Sequence, residues 1–304
     1  MDCRKWAFII NPVAGNGYAG AQTGKIKSLV KEYGLDAVVV HTQAKGHATD
    51  LAGEYARLGY KNIVAVGGDG TFNETLQALV HSEDVTFGAV SAGTGNDFIG
   101  LLGFSEHFTD LDWKVFFEGN TVNIDVGKCN KRYFLNGMGF GFDASVAVEN
   151  YKDMQVKKGR KSKYLWQIIK TLLFYREKIM RIEVNGEKSE HRCFLTTIGN
   201  GRRFGGGFNL TPGAYANDGL FNICFVKQIS LPMRIKELFS VIKGTHIYDK
   251  AVDYFQSESI RIETDEEVPI HLDGELLFGK LFEVSILPAK LKTFYNPHAK
   301  NYLI

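Results

Sequence analysis

The sequence predicts an α/β domain followed by a mainly β domain. Over the first hundred residues, short apolar runs alternate with helix-periodic segments. Beyond about residue 121 the texture changes to strand after strand, separated by turn residues. In addition, the exits of the early strands carry glycine, asparagine and carboxylate clusters, in the place where open α/β sheets bind ligands.

Strand signals fall at Trp6–Ile10, Ala37–His41, Ile63–Val66 and Thr86–Val90, with helical periodicity over 18–33, 47–58 and 72–81. Strands that are apolar throughout and separated by helices form a parallel sheet covered on both faces, a three-layer α/β domain. Right-handed crossovers place every strand exit on one edge. Residues 121–146 then read as strands and turns, and 151–178 as helix. A run of strand-like segments follows, beginning with an Asn185-Gly186 hairpin, and predicts an antiparallel β-sandwich. The expected domains are 1–123, with 290–304 returning to it, and 124–289.

Composition narrows the class. Of 304 residues, 44% are hydrophobic and 23% charged, with net charge +2, so average charge favours no particular partner. Cys3, Cys129, Cys193 and Cys224 form no CxxC pair, which argues against a zinc site or disulfide framework and for reduced thiols in a cytoplasmic protein. The most hydrophobic stretch, 164–175, is shorter than the ~18 to 20 apolar residues of a membrane span and contains Lys170. The apolar run at the N-terminus is too short for a signal-peptide core.

Four strand exits carry the chemistry: Asn11-Pro12-Val13-Ala14-Gly15-Asn16-Gly17, His41-Thr42, Gly67-Gly68-Asp69-Gly70-Thr71-Phe72-Asn73, and Ser91 through Phe98. Glycine lets backbone N–H groups approach phosphate oxygens without a Cβ in the way, and a helix N-terminus adds partial positive charge. Asp69 repels phosphate but suits Mg²⁺; taken alone it also reads as an ordinary turn or N-cap residue. The glycines at 15, 17 and 20 match a dinucleotide fingerprint, but Asn11-Pro12 intervenes and no acid ends the second strand. A Walker loop fails at Ala19 and Ile26. Near the C-terminus, His271-Leu272-Asp273-Gly274-Glu275 puts two carboxylates around a glycine. In an extended segment they share a face and suit proton transfer; the alternative is an Asp-Gly hairpin turn.

Together these segments resemble the diacylglycerol kinase catalytic-domain family, in particular the bacterial soluble lipid kinases related to sphingosine and ceramide kinases, within a superfamily that includes NAD kinases and phosphofructokinases. NPVAGNG, GGDGTFNE and SAGTGNDF carry the likeness, joined by 199–223 and the HLDGE segment, over about residues 6 to 296. The resemblance implies an ATP- and Mg²⁺-dependent lipid kinase, with diacylglycerol to phosphatidic acid as the leading reaction. Sphingoid base, ceramide or phosphatidylglycerol remain alternative acceptors, and a catalytically silent nucleotide-binding regulator or an NAD kinase alternative classes. It implies ATP contacts at Asn11, Pro12, Gly15, Thr42, Gly67, Gly68, Asp69, Gly70, Thr71, Phe72, Asn73, Thr94 and Asn96. It implies catalytic Asp273 and Glu275, and metal ligation by Asp69 and by Asp218 with the carbonyls of Tyr215 and Leu220. The family often has Gln where this chain has His271.

Two further features concern partners. Residues 157–163 hold five basic side chains and run into the apolar segment 164–175, with Tyr164 and Trp166 near the join. This predicts either peripheral membrane docking, with Leu165, Ile169 and Leu172 facing lipid, or a core-packed helix after a solvated basic loop. No nucleic-acid motif accompanies the basic run, so nucleic acid is not expected; the sequence admits a homodimer and leaves the oligomeric state open. Arg202 and Arg203 read equally as phosphate or headgroup contacts and as a solvated loop.

Overall fold

The computed structural model describes residues 5–93, 95–156 and 161–304; for 150–156, 161–165 and 167 only the backbone is described. Cys3, Thr94 and the basic residues at 157–160 therefore lie outside the described residues. The chain divides into two compact units. One comprises Met1–Val126, Tyr215–Gly219 and Leu287–Ile304; the other comprises Gly127–Ala214 and Leu220–Ile286. The segment 215–219, which the sequence assigns to the second domain, falls in the first unit. Its backbone explains why: Asp125 N donates to Ala216 O (2.7 Å) and Ala216 N to Tyr302 O (3.1 Å).

In the first unit β1 (Trp6–Ile10), β2 (Ala37–His41), β3 (Asn62–Gly67) and β4 (Thr86–Ser91) form a parallel sheet in the order β2-β1-β3-β4. The chain's last strand ends beside β4, with Lys292 paired to Thr86 and Thr293 to Phe87. Every residue of β1, β3 and β4 is buried, as expected for strands covered on both faces, whereas the edge strand β2 is half-exposed.

The helices differ from expectation in three ways. The helix expected over 18–33 is two pieces, α1 (Tyr18–Ala21) and α2 (Thr23–Glu32), with glycines 20 and 24 flanking the junction. After α3 (His47–Arg57), α4 spans Asp69–Leu79, so the helix begins inside the glycine-rich segment. A helix not anticipated, α5 (Asp110–Glu118), starts at a capping box between Thr109 and Asp112. It brings Phe116 against Phe294 (4.7 Å between ring centroids), which also stacks on Trp6 (5.4 Å).

The strand β5 (Thr121–Cys129) leads into the second unit, whose elements are β6 (Arg132–Phe134), β7 (Gly137–Gly141), α6 (Phe142–Val156), α7 (Lys161–Phe174), β8 (Lys178–Val184), β9 (Glu187–Gly199), β10 (Phe221–Lys227), α8 (Leu231–Lys243), β11 (Val252–Ser257), β12 (Ser259–Leu272) and β13 (Glu275–Phe294). Along the order β11-β10-β9-β7-β12-β13 the pairing is antiparallel, as it is where β8 bridges β9 and β12; the far end of β13 runs parallel, beside β4. Asn185 (φ 52°) and Gly186 (φ 81°) make the expected two-residue turn. One apolar cluster, with Phe134, Met138, Phe140, Ile198 and Phe221, fills the sandwich. A second, with Phe142, Ile168, Leu172, Phe194 and Val241, sits beneath α6, α7 and α8.

Cys129, Cys193 and Cys224 are free and buried. Burial pushes all three thiols up, Cys129 and Cys224 to about 12. No helix among the described residues is long and apolar enough to cross a membrane.

Candidate functional site

In the first unit, the strand exits converge, and the glycines are where the backbones touch. Gly15 has φ +59°, and a Cβ there would lie 2.1 Å from Ala92 O. A Cβ on Gly68 would meet Gly93 Cα at 3.1 Å, and one on Gly93 would meet Gly68 Cα at 2.6 Å. Asn11 N donates to Val66 O (2.9 Å), Thr42 N to Ile10 O (2.8 Å) and Ala92 N to Gly67 O (2.6 Å). Asn11 Nδ2 also donates to Thr71 Oγ1 (3.1 Å). The exits after β1, β3 and β4 are thus knitted around the N-terminus of α4, whose first-turn amides and dipole attract anions.

Within this cluster the predicted residues divide. Asn11, Pro12, Gly15, Thr42, Gly67, Gly68, Asp69, Gly70 and Thr71 are brought together at the strand exits. Phe72 points its ring into the core, fully buried 6.3 Å from Phe87 and 6.2 Å from Phe98, which leaves only its backbone at the exit. Asn73 is buried on α4 with its Oδ1 accepting from Gln77 Nε2 (3.1 Å). Asn96 (φ 52°) braces its own loop: Oδ1 accepts from Gly93 N (3.0 Å), and Nδ2 donates to Gly93 O (3.1 Å) and Glu106 O (3.0 Å). Asp69 accepts from Asp97 N and Phe98 N, each at 3.3 Å, so its carboxylate ties the fourth loop to α4. Thr94 lies outside the described residues.

Asp125, unremarked in the sequence reading, is a buried carboxylate in the same unit. It accepts from Gly219 N and Ala289 N, both at 2.7 Å. Burial raises its pKa against the opposing pull of those two bonds. An aspartate between Ile124 and Val126 in an apolar strand was the available signal. Asp125 holds the turn that contains Tyr215 and Asp218; Leu220 belongs to the second unit. Among the described residues no three His, Cys, Asp or Glu side chains gather as a metal cluster. The expected set of Asp218 with backbone carbonyls is nevertheless all oxygen, the donor type Mg²⁺ prefers.

In the second unit, HLDGE is a hairpin rather than an extended segment. Leu272 pairs with Glu275, and Asp273 (φ 49°) and Gly274 (φ 86°) both occupy the left-handed region of a two-residue turn. The same-face reading of Asp273 and Glu275 therefore does not hold, because the turn breaks the alternation of the strand. The Asp273 carboxylate points back at the chain: Oδ2 accepts from Leu135 N (2.7 Å), and Oδ1 accepts from Asn136 N (2.9 Å) and Gly137 N (3.0 Å). Asn136 Nδ2 donates to Arg203 O (2.7 Å), which joins the 201–208 loop to this turn. The exposed Arg203 side chain projects from that loop, whereas Arg202 Nε donates to Ala214 O (2.6 Å). His271 Nε2 lies 3.3 Å from Asp143 Oδ2 at the start of α6. Gly139 leaves room for the pair, since a Cβ there would come within 2.2 Å of both side chains.

The fold is thus a parallel α/β unit with glycine-lined strand exits followed by an antiparallel unit with an amide-held acidic turn, a two-domain architecture. Similarity to known proteins gives the class. Residues 5–129 match the diacylglycerol kinase catalytic domain, and residues 136–295 match the YegS C-terminal NAD kinase beta sandwich-like domain. A Shigella flexneri protein described as "Probable lipid kinase YegS" is 32% identical over 88% of this chain and 89% of its own length. A Citrobacter koseri YegS-like relative matches to the same extent. A solved structure of a candidate diacylglycerol kinase from Bacillus anthracis str. Sterne covers 98% of this chain and 97% of its own, with TM-score 0.81 and 26% identity. The chain belongs to this YegS/diacylglycerol kinase family of lipid kinases.

Proposed function

We propose that the protein phosphorylates a lipid hydroxyl using ATP and Mg²⁺, with diacylglycerol to phosphatidic acid as the leading reaction. The observation that carries this reading is the contact of Gly15, Gly68 and Gly93 with neighbouring backbone around the α4 N-terminus, in a chain of this family. The missing Cβ atoms let these loops pack backbone to backbone around the start of α4, and the first-turn amides and dipole of that helix would draw polyphosphate oxygens. Asn11, Thr42 and Thr71 add polar groups beside them. Asp69 keeps the fourth loop against α4; Asp69 and Asp218 are the carboxylates that would hold Mg²⁺, which when bound neutralises charge on the phosphates.

Transfer forms a bond from the lipid oxygen to the γ-phosphorus and breaks the bond to ADP, and the hydroxyl proton passes to a carboxylate. Asp273 and Glu275 are the candidate acceptors. The three amides on Asp273 fix its position, which favours reaction by orientation. Glu275 begins the next strand and is half-buried.

The test is purified protein with γ-labelled ATP and Mg²⁺ against diacylglycerol, a sphingoid base, ceramide, phosphatidylglycerol and, separately, NAD. Labelled lipid is the expected product. Labelled NADP, or no transfer to any acceptor, would overturn the reading. Asp69→Ala should abolish transfer in a protein whose circular dichroism is unchanged, and full activity in that variant would remove the phosphate site from this loop.

A further inference from the structure

We infer that the outward face of α7 and α8, in the second unit, is a docking surface for an anionic lipid bilayer. This rests on the lipid-kinase reading only for its purpose; the surface itself stands on the residues.

The helix α8 has ordinary boundaries: Ser230 precedes it, Pro232 sits in its first turn, and Gly244 ends it in the left-handed region. Arg234, Glu237 and Val241 face inward and are buried. Leu231, Ile235, Phe239 and Ile242 are exposed, Phe239 at 63% and Ile242 at 55%. At about 100° per residue these four fall on one stripe, where a surface helix carries polar residues. Tyr248, just beyond the helix, is 83% exposed.

The helix α7 contributes a second apolar edge. Ile168 and Leu172 pack into the core, whereas Trp166, Leu173 and Phe174 are exposed, Trp166 at 67% and Phe174 at 76%. The lipid-facing set expected from sequence is thus revised: Leu172 is core and Ile169 half-buried, and the side chain of Leu165 lies outside the described residues. Arg234 locks the two helices together. Its Nη1 donates to Leu172 O (2.7 Å) and Tyr175 O (3.1 Å), closing the end of α7, while its Nη2 pairs with Glu177 (2.5 Å).

Charge selects the occupant. In sequence α7 carries lysines and no acid, and Lys170 on it is exposed. On α8 Lys243 is exposed, Lys236 pairs with Asp249 (2.6 Å), and the one acid of the helix, Glu237, is buried. Lys250 is exposed just beyond α8. An apolar, aromatic-bearing stripe with the exposed cations Lys170, Lys243 and Lys250 on the same helices and just beyond them fits anionic headgroups over acyl chains. Two copies of this face would set like charges together.

Wild-type protein carries its own reporter, because Trp6 and Trp113 are buried and Trp166 is exposed. Vesicles of phosphatidylcholine with phosphatidylglycerol should blue-shift its fluorescence, pure phosphatidylcholine much less, and Trp166→Phe should erase the shift. Replacing Ile235, Phe239 and Ile242 together by serine should lower vesicle co-sedimentation about tenfold or more. If that variant melts unlike wild type, Lys243→Glu with Lys250→Glu serves instead and should weaken vesicle binding and flatten its salt dependence. Absence of a fluorescence shift, or wild-type binding in a folded variant, overturns the proposal. So does a wild-type dimer that the serine variant dissociates without loss of vesicle binding. The vesicle assays need no ATP, so a chain that binds vesicles but phosphorylates nothing fails the kinase reading alone, and one that phosphorylates micellar lipid but ignores vesicles fails this one alone.

Discussion

At Asp273 the left-handed backbone and the three amides on the carboxylate belong to one arrangement: the turn aims the side chain back at the Leu135–Gly137 segment, and the segment's N–H groups hold it there. Asp273→Asn keeps the turn, since Asn-Gly is as well suited to it as Asp-Gly. The substitution replaces one acceptor oxygen with a donor, so it should cost about 1 to 3 kcal/mol in urea unfolding. If Asp273 accepts the proton, turnover should fall by orders of magnitude with ATP binding retained; if Glu275→Gln alone does this, Glu275 is the base. His246 offers a separate test. Its Nε2 lies 3.1 Å from Leu210 O, its Nδ1 is buried without a partner among the described residues, and burial lowers its pKa below the ordinary 6.5. The unfolded chain then binds a proton that the folded chain refuses. The resulting stability is full above about pH 6.5 and is lost as pH falls towards the depressed folded value. Urea midpoints across that range should drop with pH, and His246→Gln should remove that part of the slope.

Among the elements, the strand-exit loops depend on absent side chains. Gly15→Ala would place a Cβ against Ala92 O and strain a left-handed backbone, so it should destabilise the first unit by more than about 1 kcal/mol. It should also weaken nucleotide binding, measured by calorimetry. Gly17→Ala is the control, because nothing lies within 4 Å of a Cβ there, although its φ of +94° still exacts some strain. The start of α4 at Asp69 follows from the same packing: Gly68 remains extended against Gly93, and the helix can begin only after it.

For the whole molecule, the proposal makes ATP with Mg²⁺ a ligand of the folded state alone. Saturating both to a hundred times Kd should stabilise the protein by about 2.7 kcal/mol and raise its Tm, and EDTA should remove the increment. A Tm indifferent to ATP and Mg²⁺ together would contradict the nucleotide assignment.

Several of these features were legible in the sequence because they are local. Apolar runs that end in turn-forming or polar residues located β1 to β4 to within a residue or so, since buried parallel strands and sharp exits each have a composition of their own. Asn185-Gly186 announced its turn for the same reason. The signals of α8 (Ser230, Pro232 and Gly244) and of α5 (Thr109 and Asp112) are also local, but each is a single helix between strand-like segments, where its periodicity stands out little. Other features depended on which segments meet. That Gly68 exists for Gly93, that Asn96 serves its own loop, that Asp69 grips Asp97 and Phe98, and that Phe72 is core are facts of contact between residues 3 to 29 positions apart. Asp125 receiving Gly219 and Ala289, and Asp273 receiving Leu135, span still more chain. By itself the sequence determined the elements, the glycine-rich exits and the family, because periodicity, turn chemistry and motif spacing are written along the chain. Only the tertiary structure decided which polar groups are held by amides and which apolar side chains of α7 and α8 remain outside the core, because burial depends on what the fold brings alongside.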